Sequence, residues 1–245
     1  MKYFWTHRDN IPDGYGYGQF TPAHFVWLVL TVLFTAAVTV IYKGAGTAER
    51  ILILRVIGAA LIFIDVVKMI LIARSDVKLS EYLPLELCSF GAYFIVCDSI
   101  VPDNAVFGQM LLTLFLPAAI MAVIFPTTQA LPSFNFYTIH QFLYHGLIIS
   151  YVIARFASGE IPNTYAGVWP SILKIILLAA VIYVIDTVFD KNFMFLRDTY
   201  GNPMLEAIRK TAGDGFAYTI GLVCFCIIVI HIFYLFFRFI SFLFL

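Results

Sequence analysis

A chain of 245 residues that is 62% hydrophobic and only 12% charged cannot fold as a soluble domain, because too few polar residues are present to cover its surface. Fifteen basic and fifteen acidic residues cancel, and with no basic arm in the chain a general nucleic-acid partner is excluded. Lipid is therefore the expected solvent, and each helical crossing of a hydrocarbon core takes roughly 20 apolar residues.

In chain order, the first twenty residues, MKYFWTHRDNIPDGYGYGQF, have no apolar core segment and no small-residue cleavage site, so they read as a retained segment with aromatic interface anchors rather than a signal peptide. Seven apolar stretches follow. The first runs over 22–42, with Thr21 placed to cap it, Pro22 at its first position and His24 in its first turn. The second, 51–73, carries Arg55, Asp65 and Lys68, a heavy ionic load for a membrane helix. The third, 83–101, opens with Leu83-Pro84-Leu85-Glu86-Leu87-Cys88 and leads into the joint Pro102-Asp103-Asn104. The fourth, 105–125, contains Pro117 and is expected to bend there. The fifth, 137–156, holds His140, Gln141 and His145; the sixth, 168–189, holds Lys174, Tyr183 and Asp186; the seventh, 216–237, holds Cys224, Cys226 and His231. The longest joint, 190–215, has turn signals at Gly201-Asn202-Pro203 and a short expected helix from Met204 to Lys210. The fold class is thus an all-α polytopic bundle of seven transmembrane helices, forming one membrane domain over 22–245 behind an N-terminal segment, 1–21.

Basic residues set the orientation. Lys2, Arg8, Arg74, Lys78, Lys191, Arg197, Arg209 and Lys210 fall on the side of the N-terminus, against Lys43, Arg50, Arg155 and Arg238 on the other. That bias predicts a cytoplasmic N-terminus and an external C-terminus.

Ionisable groups at membrane depth are costly unless they meet a partner or a wet cavity, so their depths matter most. At about 1.5 Å per residue, Cys88 lies roughly 8 Å into its helix from the cytoplasmic side and His145 roughly 12 Å, with Asp65 at a similar depth. His24, Lys68, Glu86 and Asp186 lie shallower in the same layer. Thr138, Gln141 and His145 form one stripe on the fifth helix, and Asp65 with Lys68 shares a face on the second. A thiol near a helix start, level with an imidazole, has the makings of a nucleophile and its base. His140 is about 140° round the helix from His145 and reads as an interfacial histidine, and His231 lies near the opposite membrane face as a packing residue. No HxxxH or CxxC spacing supports a metal site, and no cofactor is expected; the four cysteines suggest no disulfide framework. The seventh span has no lysine for a retinal Schiff base, and no repeat marks a transporter.

The chain resembles the YwaF-like bacterial integral membrane proteins. The resemblance rests on Phe20 to His24 at the first helix, Leu83 to Cys88 at the third, His145-Gly146 in the fifth, and Asn192-Phe193-Met194-Phe195-Leu196 with Gly201-Asn202-Pro203 after the sixth. It extends over nearly the whole chain and implies a multi-pass protein of the bacterial plasma membrane. Eukaryotic relatives resemble transmembrane acyltransferases that move fatty acyl groups between phospholipids on a cysteine carrier. By position that cysteine is Cys88 and its histidine partner His145, with His24, Asp65, Lys68, Glu86, Gln141, Asp186 and Asn192 as the supporting polar cavity. Glu86 stands where histidine or glutamine is expected in relatives. The expected partners are a phospholipid substrate and the bilayer itself; the rival expectation is a membrane protein that binds lipid or a small molecule, or transports it, without covalent chemistry.

Overall fold

The computed structural model describes residues 2–102 and 104–244; Asp103 of the joint after the third span, Met1 and Leu245 lie outside the described residues. The regular structure is helical throughout the described residues: α1 (Pro22–Gly44), α2 (Thr47–Ala73), α3 (Leu87–Ile100), α4 (Ala105–Ile124), α5 (Phe136–Ala157), α6 (Tyr165–Phe189), α7 (Pro203–Ala212) and α8 (Phe216–Phe244). Five of these, α1, α2, α4, α6 and α8, are long and apolar enough to cross a membrane.

Two helices depart from the expected spans for identifiable reasons. Instead of starting at Leu83, α3 starts at Leu87, with Glu86 as its extended N-cap (φ −76°, ψ 155°). Pro84 disfavours helical backbone at Leu83, so the chain reaches Glu86 before it can wind. In α4, a π-helical turn over Leu111–Phe115 precedes Pro117. Proline cannot donate to the carbonyl four residues back, that of Thr113, and its ring crowds it; widening the preceding turn makes room. The Thr113 hydroxyl meanwhile bonds the Gln109 carbonyl (2.7 Å) and Ser171 of α6 (2.8 Å).

The centre of the bundle is α5. Of its 22 residues, 14 are buried, whereas α1 buries only His24, Thr31 and Tyr42 out of 23. The peripheral helix is therefore inside out by soluble standards. Val32, Leu33, Val40 and Ile41 are exposed, and polar groups face the bundle, with Thr35 bonded to Ser150 of α5 at 3.1 Å. Such a helix is stable only if its outer face meets lipid, where interhelical hydrogen bonds rather than apolar burial hold neighbours together.

Both ends of α5 are pinned. At its start Asn135 accepts from the Tyr137 amide and donates to the carbonyls of Tyr3 and Thr6, while Phe136 N bonds Phe4 O (2.8 Å). The N-terminal segment is thus folded onto the bundle as a cap, with His7 edge-on to Tyr82 and Tyr137. Burial there holds the His7 imidazole below its ordinary pKa, against the pull of Asp9.

At its other end Arg155, 3% exposed, pairs with Asp98 of α3, which is wholly buried. Tyr151 donates to the same carboxylate (2.6 Å), and Arg155 also reaches Glu160 (3.1 Å) and the Pro102 carbonyl (2.5 Å). Glu160 in turn accepts from Tyr42 of α1 (2.7 Å) and Arg50 of α2 (3.1 Å). One ionic knot therefore ties four helices together. Asp98→Ala, which leaves the buried Arg155 guanidinium with Glu160 as its remaining carboxylate and Tyr151 without its acceptor, is expected to cost about 1–3 kcal/mol, most of it recovered by Asp98→Leu with Arg155→Met. Thermal unfolding of the purified variants checks this; equal losses in the single and double variants would contradict it.

Candidate functional site

The polar layer near the N-terminal side resolves into three sets of residues with different work. The first closes the end of α4. A helix leaves its last carbonyls without intrahelical donors, and inside a membrane no water supplies them. Three successive carbonyls, those of Ala122, Val123 and Ile124, are met by Gln141 Nε2 (3.1 Å), His24 Nε2 (2.9 Å) and Gln19 Nε2 (3.2 Å). His24 Nδ1 accepts from the Phe20 amide (3.0 Å), so both ring nitrogens are occupied by backbone. His24 and Gln141 are thus fastened to α4 rather than presented to a cavity.

The second set holds the loop after α6. Glu86 accepts from the Met194 amide (2.8 Å), and Asp186 Oδ1 from the Phe193 amide (2.9 Å). Asn192 accepts from the amides of Arg197 and Asp198 and donates to the Asp198 carbonyl, each close to 2.8–3.0 Å. These bonds hold left-handed backbone at Asp190, Met194, Phe195 and Tyr200, four of the five non-glycine residues with positive φ among the described residues. Each such residue costs about 1–3 kcal/mol unless its surroundings fix it, which accounts for the density of bonds here. Outside the bundle, Arg209 holds the Asp198 carboxyl below the usual carboxylate range, bonded at 2.6 Å.

The third set surrounds Cys88. It is the second residue of α3, half-buried against the core, with Glu86, Lys68 and Asp65 within electrostatic range. Lys68 is the shared neighbour: it also lies within range of His140 and His145 on α5. Its Nζ is 2.5 Å from Asp65 Oδ1, close enough for an ion pair although the angles do not make an aligned hydrogen bond. His145, 5% exposed, has its Nδ1 2.6 Å from the Gln141 carbonyl. An acceptor there requires the proton on Nδ1, which leaves the Nε2 lone pair for use as a base.

His140, read from sequence as interfacial, lies 3.8 Å from Asp65 and stacks on Tyr144 (5.2 Å, 16°), itself within range of Cys88 and Asp65. His140 and Tyr144 are four apart on α5 and share a face, a signal the sequence carried but which counting from His145 alone passed over. Cys97, Cys224 and Cys226 are likewise free thiols. Among the described residues no three His, Cys, Asp or Glu side chains converge to hold a metal ion.

Asp65 and Lys68 sit where a lone charge has little solvent. Asp65→Ala is expected to lower folded yield more than Asp65→Ala with Lys68→Ala, since the double change strands no partner. Quantitative size-exclusion chromatography of the three proteins reads this directly, and equal yields would show the pair to be independent.

Compared with known families, residues 19–237 match the model of the TMEM164 family. Neither a curated protein nor a solved structure matches the chain.

Proposed function

The chain belongs to the TMEM164 family, and on that premise we propose that it is a seven-span membrane acyltransferase that carries a fatty acyl group on Cys88. Two more helices complete the five apolar spans. α5 is too polar to stand in lipid alone but is surrounded by its neighbours. α3, at about 21 Å, falls short of a core of ~30 Å, and the non-helical Leu83–Glu86 stretch ahead of it, turned where the Leu85 amide bonds the Leu83 carbonyl (2.7 Å), makes up part of the difference. The N-terminus is cytoplasmic in this reading, which the basic-residue bias supports, and the resemblance to bacterial membrane proteins sets it in a bacterial plasma membrane.

The observation that carries the reading is that a helix-start thiol on α3 and, on α5, an imidazole whose Nε2 is free to accept each lie within electrostatic range of Lys68. In the first half-reaction His145 Nε2 takes the Cys88 proton, and the thiolate attacks an ester carbonyl of a phospholipid. The tetrahedral intermediate collapses with cleavage of the ester C–O bond. The departing glycerol oxygen receives the proton from His145, leaving a Cys88 thioester and a lysophospholipid. In the second half a lysophospholipid hydroxyl gives its proton to His145 and attacks the thioester carbonyl, and Cys88 leaves as thiolate and is reprotonated. Lys68 offsets the carboxylates of Glu86 and Asp65 that lie within range of the thiol, and the α3 N-terminus adds its dipole.

Acyl exchange between a labelled phospholipid and an unlabelled lysophospholipid, followed in proteoliposomes, tests this. Cys88→Ala is expected to abolish exchange, His145→Ala to slow it by about 10²–10⁴, and Cys97→Ala to leave it unchanged. Full exchange in Cys88→Ala would remove the covalent route. No exchange by the wild type over a broad donor panel would instead favour a protein that binds lipid without transforming it.

A further inference from the structure

The first amides of a helix have no intrahelical acceptor, and the side chain of the N-cap residue ordinarily meets some of them. At the start of α3 that residue is Glu86, and its side chain makes no cap bond. The carboxylate is turned instead to the Met194 amide in the loop after α6 (2.8 Å). The amides of Ser89 and Phe90 take the Glu86 carbonyl (2.9 and 3.2 Å). Those of Leu87 and Cys88 meet no acceptor from another of the described residues, and the Cys88 amide is turned to its own sulfur. Two backbone donors are therefore left uncommitted at the nucleophile, on a helix end whose dipole favours negative charge.

A third donor comes from α5. Tyr144, 3% exposed, stacks on His140 and meets His145 edge-on (5.8 Å, 76°), so its ring is held on two sides. Among the described residues its hydroxyl makes no aligned hydrogen bond, although Ser89 is within reach, and Cys88 and Asp65 both lie within electrostatic range. The acyl-transfer steps leave this phenol unused. A buried hydroxyl without an acceptor is costly, and a reacting group at Cys88 would supply one. The charges nearby sharpen the point. Asp65 and Glu86 oppose any further negative charge at the thiol, and Lys68 is already held by Asp65 at 2.5 Å. Stabilising an anion there falls to neutral donors.

We infer that the Tyr144 hydroxyl and the amides of Leu87 and Cys88 form the oxyanion hole of the Cys88 site. When the thiolate adds to an ester carbonyl, the C–S bond forms as the carbonyl π pair moves onto oxygen, and that oxygen accepts from Tyr144 and the two amides. The pair returns to carbon as the ester C–O bond breaks and the glycerol oxygen leaves with the proton from His145. Tyr144 donates a hydrogen bond throughout and loses no proton. The same hole serves the second half, when the lysophospholipid hydroxyl adds to the thioester. The inference rests on the acyl-transfer reading and assigns the groups that stabilise its intermediate. Glu86 acquires a role with them: by holding Met194 it keeps its carboxylate off the amides that the oxyanion needs.

The test is acyl exchange in proteoliposomes with Tyr144→Phe, which keeps the ring and removes only the hydroxyl. It is expected to lower kcat by about 10²–10³, with KM within about twofold of the wild type and the thermal midpoint unchanged. A wild-type kcat, or a lost kcat explained by a lowered midpoint, would overturn the inference. An alkyl trifluoromethyl ketone gives a second readout, since addition of Cys88 to its carbonyl places the hemithioketal oxygen in the hole. Fluorine NMR of the wild-type adduct is expected to show that oxygen ionised throughout the neutral pH range, and Tyr144→Phe to bind the ketone at least about tenfold less tightly. A wild-type adduct protonated at neutral pH would overturn the inference without recourse to the variant. Exchange that survives Tyr144→Phe in full would remove the oxyanion hole and leave the Cys88 carrier standing, whereas a wild type with neither exchange nor ketone adduct would remove both.

Discussion

Polar groups placed below the headgroups of a membrane have no water to fall back on, and the C-terminal end of α4 is where the fold answers to that constraint most directly. Three unpaired carbonyls, at Ala122, Val123 and Ile124, are met by side chains from the N-terminal segment, α1 and α5. Because the donors come from three different segments, capping one helix also fixes how α1, α4 and α5 stand against one another. His145 follows from this, since its Nδ1 proton is held by the carbonyl of Gln141, whose own side chain is committed to α4. The free Nε2 is thus positioned by a cap one turn away.

The opposite face of the bundle solves the same problem with charge. Asp98, Arg155, Glu160 and Arg50 neutralise one another, and two tyrosine hydroxyls, of Tyr42 and Tyr151, donate to the carboxylate oxygens that Arg155 also holds. A buried network of this kind contributes little net stability over apolar packing but makes any other arrangement costly. It specifies which helices are neighbours. With α5 fixed at both ends, the less constrained groups lie between and above: Cys88, Lys68, Asp65 and the loop after α6.

What the sequence made legible was what depends on local pattern. Hydropathy alone located the long apolar helices α1, α2, α4, α6 and α8, and Asn202-Pro203 marked the start of the short amphipathic α7. Relative depth singled out a layer in which Asp65 and Lys68 do pair. The rest depended on partners far away in the chain. His24 and Gln141 looked like cavity residues because nothing local shows that carbonyls near residue 123 need them. Arg155 looked like a joint charge because its partner, Asp98, is 57 residues earlier and lies in an apolar run. The late start of α3 was in principle readable from Pro84, but apolarity continues through Leu83 and Leu85 and hides it.

The central claim is that Cys88 is an acyl carrier, distinct in kind from the other three thiols. Peptide mass spectrometry of protein purified after incubation with its phospholipid donor examines the bond itself. A fatty acyl mass on the Cys88 peptide, absent from those of Cys97, Cys224 and Cys226, released by neutral hydroxylamine and slow to form in His145→Ala, is the result predicted. Acyl exchange proceeding while Cys88 remains an unmodified thiol at every time point would contradict it.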